Sequence, residues 1–398
     1  MSWIKNKHFH YYAFGAFVIL SLFGVALRYM QLFPLPGANY AFLLHAHSHF
    51  AFSGWMFFAL ALLLVSTISG EKYSVPFRRV FILTLLSALG MLVSFSFQGY
   101  KALSIGWSTL FILLTYRFSY LLWKSNRLQG TGNPVSVKML WGALLFLCLS
   151  SVGPFALGPL MASGHRNSPL YQNAIYFYLH FQMNGWMLLA ALSLLANKYL
   201  KDVKKGTYVQ IWLNLFVFSI LPLYFIFTLW KNPAPIIWMI ALAAALIHLI
   251  SWLALCFYFR GLYPRFSFLV KAALLAVTIK SILQVLICIP AIGAWAMLFR
   301  DTAIAYVHLV VLGCVTPLIL DRFEMQNYLK RGKFLDLIHR GFIFGVVLYL
   351  SLLFICPLLA LFSITIPAYH YLLFALAVFF LLAACLYLER SRFPSSLS

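Results

Sequence analysis

Hydrophobic residues occur along this chain in continuous runs of about 20, each ended by a short polar connection. A helix of about 20 residues is long enough to cross the ~30 Å hydrocarbon core of a bilayer. Twelve such runs are present, so the pattern predicts an all-α membrane protein with twelve transmembrane helices, numbered here as spans 1 to 12. The predicted spans are, in order, roughly 10–33, 40–68, 77–100, 102–125, 138–162, 171–197, 208–230, 235–259, 267–297, 302–320, 338–363 and 368–389.

Composition agrees with this prediction, and the distribution of charge refines it. The chain is 64% hydrophobic and 9% charged, whereas soluble domains are about 25% charged. Its 29 Lys and Arg against 7 Asp and Glu give a net charge of +22. When the N-terminus is taken as cytoplasmic, most Lys and Arg fall in cytoplasmic loops and tails, as the positive-inside rule requires. We therefore expect an integral protein of the inner (plasma) membrane of a bacterium, with both termini cytoplasmic, membrane lipid around it and no nucleic acid among its partners.

A short motif recurs in spans 2, 6 and 10. Each copy has a histidine, a glycine five residues later, and a ring-bearing residue two positions before the histidine. The copies lie about 130 residues apart, a distance of four spans. This spacing predicts a single transmembrane domain of three four-helix repeats, at about 1–137, 138–266 and 267–398, related by a pseudo-threefold axis along the membrane normal. The three copies are His47, His49 and Gly54; Tyr178, His180 and Gly185; and Tyr306, His308 and Gly313.

Span 2 has a third histidine, so His45, His47 and His49 occupy alternate positions of one helix. Successive residues are rotated by about 100° around a helix, so His47 should face away from the other two, which share a face. A polar ring in hydrocarbon is costly unless it has a partner. Neutral imidazole is a common ligand for metals and haem iron, and a nearby glycine lets a planar group or a helix approach the backbone. The pattern therefore favours haem or metal ligation over simple hydrogen bonding between helices.

The twelve spans, the repeat and the histidines near the outer membrane face resemble subunit I of the haem–copper oxidases and nitric oxide reductases. The stretch HSHFAFSGW is similar to the H-x-H-x4-G-W motif of the nitric oxide reductase and cbb-type branches. The resemblance implies a cytochrome c oxidase subunit I-like protein of electron transport that holds one low-spin haem b. Its axial ligands would be His47 or His49 together with His308, with Gly54 and Gly313 beside the cofactor. Cytochrome c or quinol would be the electron donor, and a small partner subunit is expected.

The resemblance also implies a second centre with copper, where His180 matches the span 6 ligand. Here, however, Tyr306 replaces the histidine that binds the family's high-spin haem, and span 7 lacks the adjacent histidine pair that completes the copper site. No Asp or Glu lies in the interior of a predicted span, although proton pumps need buried titratable groups. We therefore expect electron transfer. Oxidase or nitric oxide reductase activity would require His180, His248 and further residues, with His45 as a candidate, to rebuild a metal centre.

Two other functions fit the same residues. His49, His180 and His308 could face one another across the threefold axis and hold a single copper or zinc ion, because three imidazoles suit either metal. Alternatively, a transporter built of parallel repeats could use the histidines to line a permeation path. The first alternative predicts one metal ion and no haem, and the second predicts no bound chromophore.

Three further polar residues lie in or beside the predicted spans. His248 is expected to hydrogen bond between helices, with metal ligation as the alternative. Lys280 is a buried lysine, which can lose its charge or pair with backbone carbonyls. Arg28, at the outer boundary, is expected to extend into the headgroup region, with pairing to a haem propionate as the alternative.

Overall fold

The computed structural model describes residues 8–68, 74–129, 133–200, 206–231 and 233–392. These residues form helices joined by short connections, and none of them lies in a strand. Among them are 12 helices that are long and apolar enough to cross a membrane, which confirms the predicted number of spans and, to within a few residues, most of their bounds. The spans are Phe9–Tyr29, Tyr40–Ile68, Val75–Gln98, Ala102–Asn126, Pro134–Ala162, Pro169–Tyr199, Thr207–Lys231, Pro235–Tyr258, Phe268–Leu286, Arg300–Met325, Lys333–Ala360 and Tyr369–Arg392.

Several spans begin at a side chain that caps the helix. A cap oxygen accepts a hydrogen bond from a backbone N–H of the first turn, which has no partner within the helix. Proline in that turn also helps, because its fixed φ suits the helix and it brings no unsatisfied N–H. The caps are Asn39 for span 2, Asn133 for span 5, Ser168 for span 6 and Ser267 for span 9, and Pro134, Pro169 and Pro235 open spans 5, 6 and 8.

The predicted ninth span, 267–297, is too long at its C-terminal end, where about a third of it lies outside the membrane helix. The membrane helix ends at Leu286, and a separate short helix, Pro290–Leu298, follows. Ile289 between them is extended, with φ −78° and ψ 120°. A residue that precedes proline is pushed out of the helical region by the proline ring, so Pro290 explains the break.

Span 7 changes its helical geometry before it ends. Its α-helix stops at Leu223, one residue after Pro222, and is continued by a tighter 3-10 helix, Tyr224–Lys231. In this geometry the N–H of Tyr224 bonds to the carbonyl of Leu221, three residues back, instead of that of Ile220. The Ile220 carbonyl is thereby left available to a side chain from another helix.

Spans 2, 6 and 10 each contain a seven-residue π-helical segment. The segments are Ala51–Phe57, Phe181–Met187 and Leu309–Val315. Each begins one or two residues after a motif histidine and includes the motif glycine. Such segments are rare, well under 1% of residues in soluble proteins, and are frequently found at functional sites. The structure thus gives the three copies of the motif the same unusual backbone.

The chain separates into two compact units. Unit 1 consists of Met1–Thr131 and Ile319–Ser398, and unit 2 is Gly132–Leu318. Span 2 is the most buried span of unit 1, and in unit 2 the same is true of span 6. In unit 1, for example, Trp55 of the π-helical segment is fully buried and stacks on Phe17 with ring centroids 4.5 Å apart. Two of the three histidine motifs therefore lie on the central helices of their units.

Candidate functional site

His45 and His49 lie on one face of span 2 and pack against the end of span 3. The His49 ring stacks on Phe95, with centroids 4.3 Å apart and planes 12° from parallel, and its Nε2 is 2.7 Å from the hydroxyl of Tyr100. The His45 ring meets Tyr100 edge-on at 4.7 Å. The predicted shared face is confirmed. Both imidazoles take part in an aromatic cluster of the protein itself, and Nε2 of His49 already has a partner.

His47 faces the opposite way, toward span 1, as the helical geometry predicts. A Cβ atom placed on Gly24 would lie 3.6 Å from Cε1 of the His47 ring. A methyl group would just fit there, whereas a larger side chain would collide with the imidazole. His47 is half-buried and differs from its two neighbours in facing span 1. Of the three clustered histidines, it alone faces a position without a side chain.

Arg28 lies one helical turn beyond Gly24 on the same face of span 1. The expectation that it extends into the headgroup region is wrong, because only 7% of the residue is exposed. Its guanidinium donates to the Tyr349 hydroxyl at 2.6 Å and to Oε1 of Gln31 at 2.9 Å. Both acceptors are neutral. Unit 1 therefore holds a buried cation whose hydrogen-bond acceptors carry no charge, next to the helix face that His47 approaches.

The space beside Gly54 is filled by the protein. A Cβ atom on this glycine would lie 2.8 Å from the ring of Phe50, which belongs to the same span. In span 6, a Cβ on Gly185 would lie 2.4 Å from Cβ of Phe146 in span 5. The large groups that approach these two glycines are phenylalanine side chains, and a role of Gly313 beside a cofactor stays a prediction.

His180 is fully buried in unit 2, with both ring nitrogens in hydrogen bonds. Nε2 is 2.8 Å from the carbonyl oxygen of Ile220, which the 3-10 turn of span 7 leaves available. Because a carbonyl can only accept, Nε2 carries the proton and Nδ1 carries the lone pair. That lone pair accepts a hydrogen bond from Nδ2 of Asn184, at 3.3 Å and one helical turn further along span 6.

Asn184 connects His180 to spans 9 and 10. Its Oδ1 accepts hydrogen bonds from the Tyr306 hydroxyl at 3.2 Å and from Nε2 of Gln284 at 3.3 Å. Gln284 also donates to the Tyr306 hydroxyl at 2.8 Å. Tyr306 is the residue that stands where the family has its high-spin haem ligand. In this chain its hydroxyl forms part of a hydrogen-bond network between three spans.

His248 of span 8 forms a second buried group with spans 7 and 9. The Ser219 hydroxyl donates to the Phe216 carbonyl at 2.9 Å, so Nδ1 of His248, 2.9 Å from the same hydroxyl, is the donor in their hydrogen bond. Nε2 then carries the lone pair and accepts from Nζ of Lys280 at 3.3 Å. His248 and Lys280 are both fully buried. The prediction that His248 hydrogen bonds between helices is confirmed, and Lys280 pairs with a side chain, not with the backbone carbonyls considered from the sequence.

His308 of span 10 makes a hydrogen bond from one ring nitrogen to the backbone of its own helix. Its Nδ1 is 2.8 Å from the carbonyl oxygen of Ile304, one turn earlier in the same helix. Since the carbonyl accepts, Nδ1 is protonated and Nε2 carries the lone pair. A hydrogen bond of this kind from the second ring nitrogen commonly fixes the tautomer of an imidazole that binds a metal through Nε2.

Two findings bear on a copper centre. In the described part of the chain, no three His, Cys, Asp or Glu side chains come together in a group that could hold a metal ion. The lone pairs of His180 and His248 already accept hydrogen bonds, and a buried donor left without its acceptor costs about 1–3 kcal/mol. The residues present do not fit the copper centre that the resemblance implies.

Sequence reasoning missed several residues of these networks, although a signal was present for some. Asn184 follows His180 by four residues, and Gln284 follows Lys280 by four. Polar residues at this spacing in an apolar span share a helix face and indicate a common buried contact. The Ile220 carbonyl has no such signal, since its availability depends on the local helix geometry. No protein-family model matches the chain, and no curated protein matches it.

Proposed function

We propose that this chain is a membrane haem b protein of the haem–copper oxidase subunit I type that holds one low-spin haem, for which His47 and His308 are the candidate ligands. The observation that carries the proposal is the coincidence of three π-helical segments with the three histidine motifs. Equal backbone distortion at equal spacing supports a threefold repeat of four helices, the arrangement that the resemblance implies. Such distortions are frequently found at functional sites.

The choice of ligands follows from the direction in which each imidazole faces and from its tautomer. Nε2 of His49 is engaged with Tyr100, and the lone pair of His180 is engaged with Asn184. His308 presents Nε2 as its lone-pair nitrogen, and His47 faces Gly24. The orientation of His47 toward span 1, where Gly24 has no side chain and Arg28 lies one turn further on, favours it over His49, the choice that the sequence left open. The hydrogen bonds of His49 and His180 also count against a single copper or zinc site made by these two residues and His308.

Haem held by two imidazoles accepts and donates one electron and has no open position for a gas molecule. The chain's own contribution is orientation and charge. The hydrogen bond from His308 to Ile304 holds the imidazole in one tautomer and one orientation. Arg28 supplies a buried positive charge that can neutralise a propionate and favour the reduced state. Electron donation by cytochrome c or quinol, a small partner subunit and the inner membrane of a bacterium with cytoplasmic termini belong to the same proposal.

The test is a reduced-minus-oxidised absorption spectrum of the detergent-purified protein, produced with ample haem. We expect the sharp α-band of low-spin haem b, lost in His47→Ala and His308→Ala and kept in His49→Ala, the matched control on the same helix. A preparation without a Soret band would refute the proposal. One copper or zinc per chain would then favour the three-histidine metal site, and neither haem nor metal would favour the transporter.

A further inference from the structure

The buried polar groups of unit 2 lie on five consecutive spans, 6 to 10. His180 and Asn184 come from span 6, Ser219 and the Ile220 carbonyl from span 7, His248 from span 8, Lys280 and Gln284 from span 9 and Tyr306 from span 10. All these side chains except that of Tyr306, which is half-buried, belong to residues at most 5% exposed. They include two of the positions, His180 and Tyr306, that the resemblance would assign to the copper and high-spin haem centre.

Two backbone carbonyls set the direction of every hydrogen bond that the imidazoles make. The Ile220 carbonyl requires the proton of His180 on Nε2, so Nδ1 accepts from Asn184. The Phe216 carbonyl takes the proton of Ser219, so His248 donates through Nδ1 and accepts at Nε2. One consistent assignment of protons therefore satisfies both rings completely. Neither ring retains a lone pair for a metal ion.

The amine of Lys280 donates a hydrogen bond to the Nε2 lone pair of His248. In a protonated state this amine places a positive charge next to both buried imidazoles, and in a neutral state it still donates to Nε2. The one acid in the described part of unit 2, Asp301, lies in the first turn of span 10. A copper ion at this place would have to displace Lys280 from His248 and Asn184 from His180. When protonated, the Lys280 amine would also repel the positively charged copper ion.

We propose that unit 2 contains no copper centre, and that its two buried imidazoles instead belong to two hydrogen-bond networks, one that includes Asn184 and one that Lys280 completes. The chain then carries out electron transfer through one haem and does not reduce oxygen or nitric oxide. The statement about copper depends on unit 2 alone, and the statement about gases rests also on the proposed haem function. Metal analysis tests the statement about copper, and carbon monoxide binding tests the statement about gases.

The first experiment is metal analysis of the whole protein, purified from cells grown with added copper and then incubated with Cu(I) and with Cu(II). We expect the same copper content in wild type and in a His180→Gln, His248→Gln double variant, because any bound copper lies elsewhere. One copper per chain in wild type that is lost in the double variant would overturn the proposal. Electron paramagnetic resonance of the Cu(II) sample gives an independent reading, since nitrogen hyperfine splitting present in wild type and lost in the double variant would place copper on these two imidazoles.

The second experiment addresses the gas ligand and the network that includes Asn184. Carbon monoxide added to the dithionite-reduced protein should leave the Soret band unchanged, and a shifted band would overturn the statement about gases. Asn184→Ala should lower the temperature of unfolding in detergent while leaving the haem spectrum as it is. Leu275→Ala, on an exposed side chain of span 9, is the control. Equal unfolding temperatures for Asn184→Ala and this control would show that the network that includes Asn184 does not hold unit 2 together.

Discussion

Lys280 and His248 are joined by a 3.3 Å hydrogen bond between Nζ and Nε2, at a place where both residues are fully buried. A buried lysine in a membrane protein is usually found with a carboxylate, a carbonyl or a functional ligand. Here its acceptor is a neutral ring, oriented by Ser219 on the other side. The Lys280 amine therefore depends on His248 for its acceptor, whereas His248 is also held by Ser219. The two residues should thus contribute unequally to the free energy of unfolding.

The two members of this pair should differ in what their removal costs. His248→Leu leaves an amine in the interior without its acceptor, and we expect a loss of about 3 kcal/mol or more in the free energy of unfolding. Lys280→Met leaves only a neutral lone pair and relieves the burial of the amine, so a loss of about 1 kcal/mol is expected. The double variant should be more stable than His248→Leu. Chemical unfolding in detergent measures all three, and additive losses would contradict the pairing.

The three histidines of span 2 should separate cleanly in haem binding. His47→Ala should abolish the α-band because it removes a proposed axial ligand, whereas His45→Ala and His49→Ala should retain haem at the level of wild type. His49→Ala also removes the stacking on Phe95, so its temperature of unfolding should fall while its spectrum stays unchanged. Haem quantified by pyridine haemochrome, per mole of chain, is the measurement. Loss of haem in His49→Ala with retention in His47→Ala would reverse the assignment.

The spans could be predicted from the sequence because the thickness of a bilayer sets the minimum length of each apolar run. The opposed faces of His47 and His49 were also predictable, since they follow from helical geometry alone. The partners of His180 were not, because the Ile220 carbonyl is available only where span 7 tightens after Pro222. Pro290 could have predicted the end of the span 9 helix, but the residues on both sides of it are apolar, so the sequence resembled one continuous span. Local rules therefore described single helices well, whereas contacts between helices required the structure.

Gly24 should tolerate a methyl group and nothing larger. In Gly24→Ala the new Cβ lies 3.6 Å from Cε1 of His47, an ordinary contact, so haem content should stay close to that of wild type. In Gly24→Leu the side chain must displace the imidazole, and haem content should fall at least several-fold. Spectra of the two variants, purified side by side, check this. If Gly24→Leu retained its full haem content, the position of the His47 ring beside Gly24 would not be required for haem binding.

Arg28 should tune the reduction potential of the haem. A nearby positive charge stabilises the reduced state, which carries one more electron, so Arg28→Gln should lower the midpoint potential. With an effective dielectric constant of about 20 the shift is on the order of tens of millivolts. Arg166→Gln, on an exposed arginine of the connection before span 6, is the control and should leave the potential unchanged. Redox titration followed at the α-band measures both variants, and equal potentials would remove Arg28 from the haem environment.

The π-helical segment of span 6 makes a last prediction about packing. Gly185 lies so close to span 5 that a Cβ would come within 2.4 Å of Cβ of Phe146, so Gly185→Ala must push the two helices apart. Overpacking of this kind costs about 1–3 kcal/mol. Gly106→Ala, near the start of span 4, is the matched control, because nothing lies within 4 Å of its Cβ position and alanine favours the helix by up to about 1 kcal/mol. Unfolding in detergent should therefore shift in opposite directions for the two substitutions. If Gly185→Ala proved as stable as wild type, the close approach of spans 5 and 6 at the π-helical segment would have to be abandoned.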